Sequence, residues 1–165
     1  MPSQPTHKYL IAGIIALAVV MLDQYTKHLI AQHLPLHHSL PVLEPFLTIL
    51  HTRNKGIAFG IFSGQVSTTQ TVLLVFTSLA AIAFIFYLLR GLGAQCLYAT
   101  VTLGLILGGA IGNLIDRIRW GEVIDFIDVH WRGYHWPAFN VADSAISAGM
   151  VLLVIGMLTR RFPLR

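Results

Sequence analysis

The sequence has only one cysteine and few charged residues. Cys96 cannot form an intramolecular disulfide or a site of several thiolate metal ligands, so we expect it to pack inertly at the start of an apolar segment. Charged residues make up 11% of the 165 positions and hydrophobic residues 55%. A soluble globular domain carries about a quarter charged residues. The composition therefore argues against an ordinary soluble fold, and no basic stripe argues for nucleic-acid binding.

Metal-binding spacing is also lacking, although histidine is frequent. The eight histidines are scattered over the N-terminal tail, one span end and the loops, without an H-E-x-x-H pairing. We therefore predict no metal site and no cofactor. These residues are His7, His28, His33, His37, His38, His51, His130 and His135.

Four runs almost free of charge account for the hydrophobic excess. They cover roughly residues 9–31, 72–89, 96–115 and 141–159. Each is close to the ~20 residues that cross ~30 Å of hydrocarbon, where a helix satisfies every backbone polar group within one segment. The first run resembles a secretory signal peptide, but no small-residue cleavage site follows it. We predict an α-helical polytopic membrane protein with four transmembrane helices, forming a single domain over residues 1–165.

The placement of charge predicts the orientation in the membrane. Four spans bring both termini and the short loop at residues 90–95 to one side, which holds basic residues and no acid. An excess of Lys and Arg beside the spans marks the cytoplasmic side. The basic residues there are Lys8, Arg90, Arg160, Arg161 and Arg165. The seven acids face outward: Asp23, Glu44, Asp116, Glu122, Asp125, Asp128 and Asp143.

Two outer segments, residues 32–71 and 116–140, are predicted to form short strands with turns. The first mixes β-favouring and aromatic residues with turn-forming glycines. The second contains "EVIDFIDVHW", a strand-like run in which Asp125 is the one polar member of an otherwise apolar face. A carboxylate in that position is either solvated at a sheet edge or buried for a purpose.

Several polar residues lie where the spans end. Asp23 and Lys27 stand four apart in the order that favours an ion pair on one helix face. Such a pair has a structural explanation and a competing catalytic one. Asn113, Asp116 and Arg117 fall on one face at the end of the third run, where a snorkelling arginine would be the ordinary interpretation. Small residues that allow close helix packing precede them: Gly104, Gly108, Gly109 and Gly112.

Asn140 and Asp143 begin the fourth run. An Asn at the N-cap with an Asp three residues later resembles a capping box, which satisfies free backbone amides. A helix N-terminus also stabilises negative charge, which would help to keep one carboxylate ionised beside a second. Spacing alone does not show whether Asp143 meets Asp125.

Five stretches together carry a family resemblance. In chain order they are "LDQYTK", "RNKGIAFG", "GNLIDR", "GEVIDFIDV" and "FNVADSAI". In this order and membrane placement they resemble bacterial lipoprotein signal peptidase, the signal peptidase II family, over essentially the whole chain. One departure is Ile57, because the family usually has a small residue there in its N-x-G-A-A-F stretch.

The resemblance implies a membrane aspartic endopeptidase that cuts signal peptides from prolipoproteins just before a diacylglyceryl-modified cysteine. It implies four membrane helices, a β-rich cradle and a short surface helix. The implied catalytic residues are Asp125 and Asp143, which would share one proton because two adjacent carboxylates cannot both ionise at low dielectric. The implied lining and supporting residues are Asn54, Asn113, Arg117, Asn140, Asp23, Lys27 and Asp116.

The resemblance also implies the location and the partners. We expect a multi-pass protein of the bacterial inner membrane, with both termini cytoplasmic and the active site near the outer face. Its partners would be prolipoproteins and membrane lipids, and we expect it to work as a monomer. Without the resemblance, a proton-coupled transporter or an assembly factor would compete with a protease, because acids near membrane spans are typical of transporters.

Overall fold

The computed structural model describes residues 6–56, 68–93 and 96–162. Four helices in this part of the chain are long and apolar enough to cross a membrane. They accompany a four-stranded antiparallel sheet, which confirms the predicted architecture. The elements are α1 (Thr6–His33), β1 (Ser39–Leu43), β2 (Leu47–Asn54), α2 (Thr68–Gly91), α3 (Leu97–Trp120), β3 (Val123–Trp131), β4 (Tyr134–His135) and α4 (Val141–Leu158).

Helix α3 forms the centre of the bundle and packs against the other three helices. Its glycines make this packing close, as their spacing predicts. A Cβ atom on Gly108 would lie 2.8 Å from the carbonyl oxygen of Ala16 in α1. A Cβ atom on Gly109 would collide with the carbonyl oxygen of Ala142 in α4. The absence of these side chains therefore lets α1 and α4 approach the α3 backbone on two sides.

Helix α3 continues beyond the apolar run that predicted it. The run ends at Ile115, whereas the helix ends at Trp120, so Asp116 and Arg117 lie within its last turns. The carboxylate of Asp116 is paired there with a buried lysine, as described below. Gly121 ends the helix with φ 72°, and its N–H donates to the carbonyl of Arg117 at 3.0 Å. Glycine adopts this left-handed conformation without strain.

The sheet has the strand order β1-β2-β3-β4. Strand β3 is predicted by its alternation, and it pairs with β2 through a register that sets Asp125 opposite Thr52. Its first four residues are buried, and Asp125 is 2% exposed. The sequence left open whether this carboxylate is solvated at a sheet edge or buried, and the structure shows that it is buried.

The termini of the described chain meet at the end of the bundle away from the sheet. Lys8 Nζ donates to the carbonyl of Leu92 at 2.6 Å and to that of Arg90 at 3.2 Å. Cys96 Sγ donates to the carbonyl of Arg161 at 3.4 Å. Lys8 is thus buried against the end of α2, although the sequence suggests an exposed charge beside the membrane.

The first outer segment is only partly described. Strands β1 and β2 confirm its predicted β-rich part, whereas Ile57 and the rest of residues 57–67 lie outside the described residues. Within the ranges given above, the helices are the four spans, so the short surface helix implied by the resemblance stays a prediction.

The α3 glycines provide a test of the packing. Gly109→Ala should lower the free energy of unfolding by about 1–3 kcal/mol, because the added methyl group meets a backbone oxygen that cannot rotate away. Gly13→Ala in α1 is the matched control, since nothing lies within 4 Å of its added Cβ. We expect the control to unfold at or above the parent temperature in the same detergent. Equal melting of both variants would contradict the close contact.

Candidate active site

Two buried carboxylates, one from the sheet and one from a helix, lie at the centre of a polar network. Asp125 comes from β3 and Asp143 from the first turn of α4. Strand β3 reaches this position because Gly121 turns the chain directly from α3 into the sheet. Residues separated by 18 positions in the sequence are thereby joined through shared asparagine partners.

Asp125 receives a hydrogen bond on each carboxylate oxygen. Asn140 Nδ2 donates to Oδ1 at 2.7 Å, and Asn54 Nδ2 donates to Oδ2 at 3.0 Å. Asn54 is itself fixed, because its Oδ1 accepts from the backbone N–H of Gly56 at 3.0 Å. The two amides hold the carboxylate in one orientation without adding net charge.

Asp143 is both a helix cap and a partner in this network. The capping box is present: Asp143 N donates to Asn140 Oδ1 at 2.9 Å, and Asn140 N donates to Asp143 Oδ2 at 3.3 Å. The other carboxylate oxygen, Oδ1, accepts from Asn113 Nδ2 at 2.7 Å. The capping interpretation is therefore right for Oδ2, while Oδ1 belongs to the site.

The asparagines connect the two carboxylates. Asn140 Nδ2 lies 2.7 Å from Asp125 Oδ1 and 3.2 Å from Asn113 Oδ1. Asn113 in turn donates to Asp143. The chain of contacts therefore runs from Asp125 through Asn140 and Asn113 to Asp143. Asn140 is fully buried and Asn113 nearly so.

Lys27, in α1, stabilises the network through its ammonium group. Its Nζ lies 2.8 Å from Asp23, 2.8 Å from Asp116 and 3.1 Å from Asn113 Oδ1. The predicted i,i+4 pair with Asp23 is thus confirmed. The same lysine also contacts Asn113, so this ion pair supports the site as well as the helix end. Because the ammonium group occupies Asn113 Oδ1, the amide group of Asn113 must face Asp143.

Asp23 also fixes the start of α4. Its Oδ1 accepts from the backbone N–H of Ala142 at 2.9 Å, a first-turn amide without a partner inside the helix. Asp116 accepts from the backbone N–H of Ile124 at 3.4 Å, which connects α3 to β3. Each of these carboxylates therefore joins Lys27 to an element that carries one of the central aspartates.

Arg117 approaches the site from the α2 side. Its Nη1 donates to Ser78 Oγ at 3.4 Å, and its buried Nε has no hydrogen-bond partner among the described residues. The charges of Asp143, Asp125 and Asp116 act on its guanidinium group. An arginine extended toward the membrane surface would not leave a buried Nε unpartnered, so the snorkelling interpretation is not supported.

All the site residues suggested by the sequence thus meet at one end of the bundle, and two more join them. Gln24 Nε2 donates to Asp116 Oδ1 at 2.8 Å and to the carbonyl of Gly112 at 3.3 Å. Ser78 meets Arg117 as described. The polar sequence "LDQYTK" could have indicated Gln24, whereas nothing near Ser78 in the sequence distinguishes it.

The environment of Asp125 shifts its protonation. Burial, together with the nearby charge of Asp143, raises the pKa of Asp125 to about 7. The hydrogen bonds from Asn54 and Asn140 oppose this rise. At neutral pH the carboxyl group is therefore poised between its two forms, as a proton-sharing pair requires.

Comparison with known proteins identifies the family of the chain. A family model described as "Signal peptidase (SPase) II" matches residues 15–159. The chain belongs to the signal peptidase II family. It is therefore a protease, and the transporter and assembly-factor alternatives fall away.

Individual relatives of this signal peptidase II chain agree. A lipoprotein signal peptidase of Syntrophus aciditrophicus is 47% identical over 151 residues, covering 90% of this chain and 92% of the relative. One from Syntrophotalea carbinolica is 46% identical over 142 residues, covering 86% and 87%. A solved bacterial membrane enzyme is similar with a TM-score of 0.80 and 36% identity, over 90% of this chain and 87% of that one.

The raised pKa of Asp125 predicts a pH-dependent stability difference. Well below pH 3.8 the carboxyl group is protonated in both the folded and unfolded states, so it has no effect on unfolding. As the pH rises toward 7, the unfolded state ionises more readily and the folded state loses stability. The difference between 3.8 and about 7 corresponds to at most about 4 kcal/mol.

Asp125→Asn removes this ionisation. Its melting temperature should therefore rise relative to the parent between pH 4 and pH 7 and stay constant relative to it above that range. Glu44→Gln is the control, because Glu44 is an exposed acid outside the network. A parent-to-variant difference that does not change with pH would contradict the shifted pKa of Asp125.

Proposed function

We propose that Asp125 and Asp143 are the catalytic pair with which this protease removes the signal peptide from prolipoproteins. The observation that carries the proposal is the joining of two carboxylates from different elements through Asn140 and Asn113. Amide hydrolysis without a nucleophilic side chain needs an activated water and a proton donor. Two adjacent carboxyl groups that share one proton supply both.

The surroundings suggest how the pair divides its work. The N-terminus of α4 and the amide of Asn113 favour negative charge on Asp143, which would take a proton from the attacking water. Asp125, with its pKa near neutrality, would hold the shared proton and polarise the scissile carbonyl oxygen. The proton that Asp143 has gained would then pass to the leaving nitrogen. The pair titrates as a unit, so its macroscopic pKa values describe both residues together.

The relatives support the substrate class. The two relatives named above are lipoprotein signal peptidases, and the family resemblance implies cleavage just before a diacylglyceryl-modified cysteine. The four apolar helices would hold a substrate that is anchored by its own span and its acyl chains. Arg117, whose Nε has no hydrogen-bond partner among the described residues, is suited to bind a carbonyl or ester oxygen of this substrate.

We further propose the orientation in the bacterial inner membrane. Arg90, Arg160 and Arg161 lie at the end of the bundle away from the carboxylate pair, and positive charge of this kind marks the cytoplasmic side. Both termini would then be cytoplasmic and the active site would lie near the outer face. Membrane lipids would surround the helices, and a single chain would carry the complete site.

The catalytic pair is tested with a lipidated precursor. Asp125→Asn and Asp143→Asn should each abolish cleavage and leave membrane insertion intact, because the amide matches the carboxyl group in size but does not ionise. The double variant should be no slower than either single variant, since one missing member already disables the pair. Turnover is measured with diacylglyceryl-modified precursor, and the unmodified precursor should not be cleaved by the parent.

The capping explanation gives the opposite result at Asp143. Asparagine is a competent cap, so a purely structural Asp143 would tolerate the change and retain near-normal turnover. That outcome would leave Asp125 without a catalytic partner. Cleavage of the unmodified precursor would instead contradict the proposed substrate class.

Arg117→Ala tests substrate placement. We expect KM to rise about tenfold to a hundredfold, because a hydrogen bond to a charged group contributes about 1.5–3 kcal/mol. Turnover of bound substrate should change much less. Arg117→Lys is the matched comparison, since it keeps the charge and loses the planar donor group. A kcat reduced to the level of the Asp143→Asn variant would assign Arg117 to the chemical step.

A further inference from the structure

A second cluster of ionisable residues lies at the hairpin of β3 and β4, apart from the catalytic pair. Its members are Asp128 and His130 on β3 and His135 on β4. Residues of a strand alternate between its faces, so Asp128 and His130 share one face while Asp125 lies on the other. The antiparallel register sets His130 directly opposite His135.

The hairpin loop fixes this register. Arg132 and Gly133 both have positive φ, 50° and 84°, in the two-residue connection between Trp131 and Tyr134. Two-residue loops with positive φ at both positions match the twist of the paired strands and leave little freedom of register. The two imidazole rings consequently stack, with centroids 4.8 Å apart and planes inclined by 20°.

The ligand atoms lie close enough together to surround one metal ion. His135 Nδ1 is hydrogen-bonded to Asp128, at 2.9 Å from Oδ2 and 3.0 Å from Oδ1, and His130 Nδ1 lies 3.6 Å from Oδ2. A bound ion would replace the hydrogen bond of His135. One ligand atom from each residue can be chosen so that all lie within 4.8 Å of one another. Bonds of about 2.1 Å in a tetrahedral zinc site place neighbouring ligand atoms about 3.4 Å apart.

Burial at the cluster is uneven. The Nδ1 atom of His130 is buried and has no hydrogen-bond partner within the described chain. Buried polar atoms normally have a hydrogen-bond partner or a metal ion, so we expect this nitrogen to bind one. The Asp128 side chain is 9% exposed and that of His135 is 58% exposed. The cluster therefore has a fixed inner part and an open side through which an ion and a water molecule can enter.

We propose that Asp128, His130 and His135 bind one divalent transition-metal ion of the zinc type. The ligands would be the two Nδ1 atoms and a carboxylate oxygen, with water in the remaining position. Two imidazoles and one carboxylate suit zinc, whereas calcium and magnesium prefer oxygen ligands. The ion would join β4 to β3 as a structural clip. Because the cluster lies on the opposite face of β3 from Asp125, the ion takes no part in hydrolysis.

The histidine spacing in the sequence did not predict this site, because the hairpin brings its residues together. His130 and His135 are five residues apart, whereas two metal ligands on one face of a helix are three or four residues apart. The prediction of no metal site was made from helical and zinc-protease spacings alone. The proposal does not depend on the assignment of the catalytic pair, and its test is a binding measurement.

The test uses the full chain in detergent, purified without a histidine tag and treated with a chelator. Calorimetric titration with Zn²⁺ should show one ion bound per chain. His135→Gln and Asp128→Asn should each weaken binding by more than about tenfold, since even an outer partner of a metal ligand changes affinity about 10–100-fold. Zinc should raise the melting temperature of the parent and not of these variants.

Two controls separate this site from others. His28→Gln changes an exposed histidine of α1, and Asp125→Asn changes the catalytic pair, so both should bind zinc like the parent. Co²⁺ should give the intense visible absorption of a tetrahedral site in the parent, and this should be lost in His130→Gln. Zinc binding that survives in His135→Gln and Asp128→Asn, or that is lost in Asp125→Asn, would overturn the proposal, as would the absence of one-to-one binding.

Discussion

The buried ammonium group of Lys27 is the interaction on which the rest of the site depends. It contacts Asp23 on its own helix and both Asp116 and Asn113 on α3. Removing one partner of a buried ion pair costs about 3–5 kcal/mol, because an uncompensated charge remains. Here the loss of Lys27 would leave two buried carboxylates. It would also free the amide of Asn113, which otherwise faces Asp143.

The packing of the helices consequently determines the geometry of the active site. A Cβ atom on Gly112 would lie 2.7 Å from Asp23 Oδ2 and would displace the carboxylate that holds both Lys27 and the N–H of Ala142. The glycine at this position therefore leaves room for the Asp23 carboxylate as well as for close helix packing. A change at a residue that does not itself contact the two aspartates can therefore alter the start of α4, and with it the position of Asp143.

The sequence predicted features that depend on residues close together in the chain. The four spans, the i,i+4 pair of Asp23 and Lys27, the capping box and strand β3 all follow from local periodicity and composition. The meeting of Asp125 with Asp143 does not, since spacing along the chain does not determine the distance between two elements. The family resemblance suggested that pair. Similarly, the apolar run of the third span does not predict that Asp116 pairs with Lys27, because that contact joins two different helices.

Lys27 does not contact the catalytic aspartates directly, because Asn113 lies between its ammonium group and Asp143. This separation has a chemical consequence. A cation in direct contact with the pair would favour two ionised carboxylates, and no proton would remain to polarise the substrate carbonyl. Lys27 instead acts through Asn113, and its charge lowers the pKa of Asp125 less than the hydrogen bonds from Asn54 and Asn140 do. Neutral asparagine amides contact the carboxylates directly. They fix the orientation of both groups while burial keeps the pKa of Asp125 high enough for a proton to be shared.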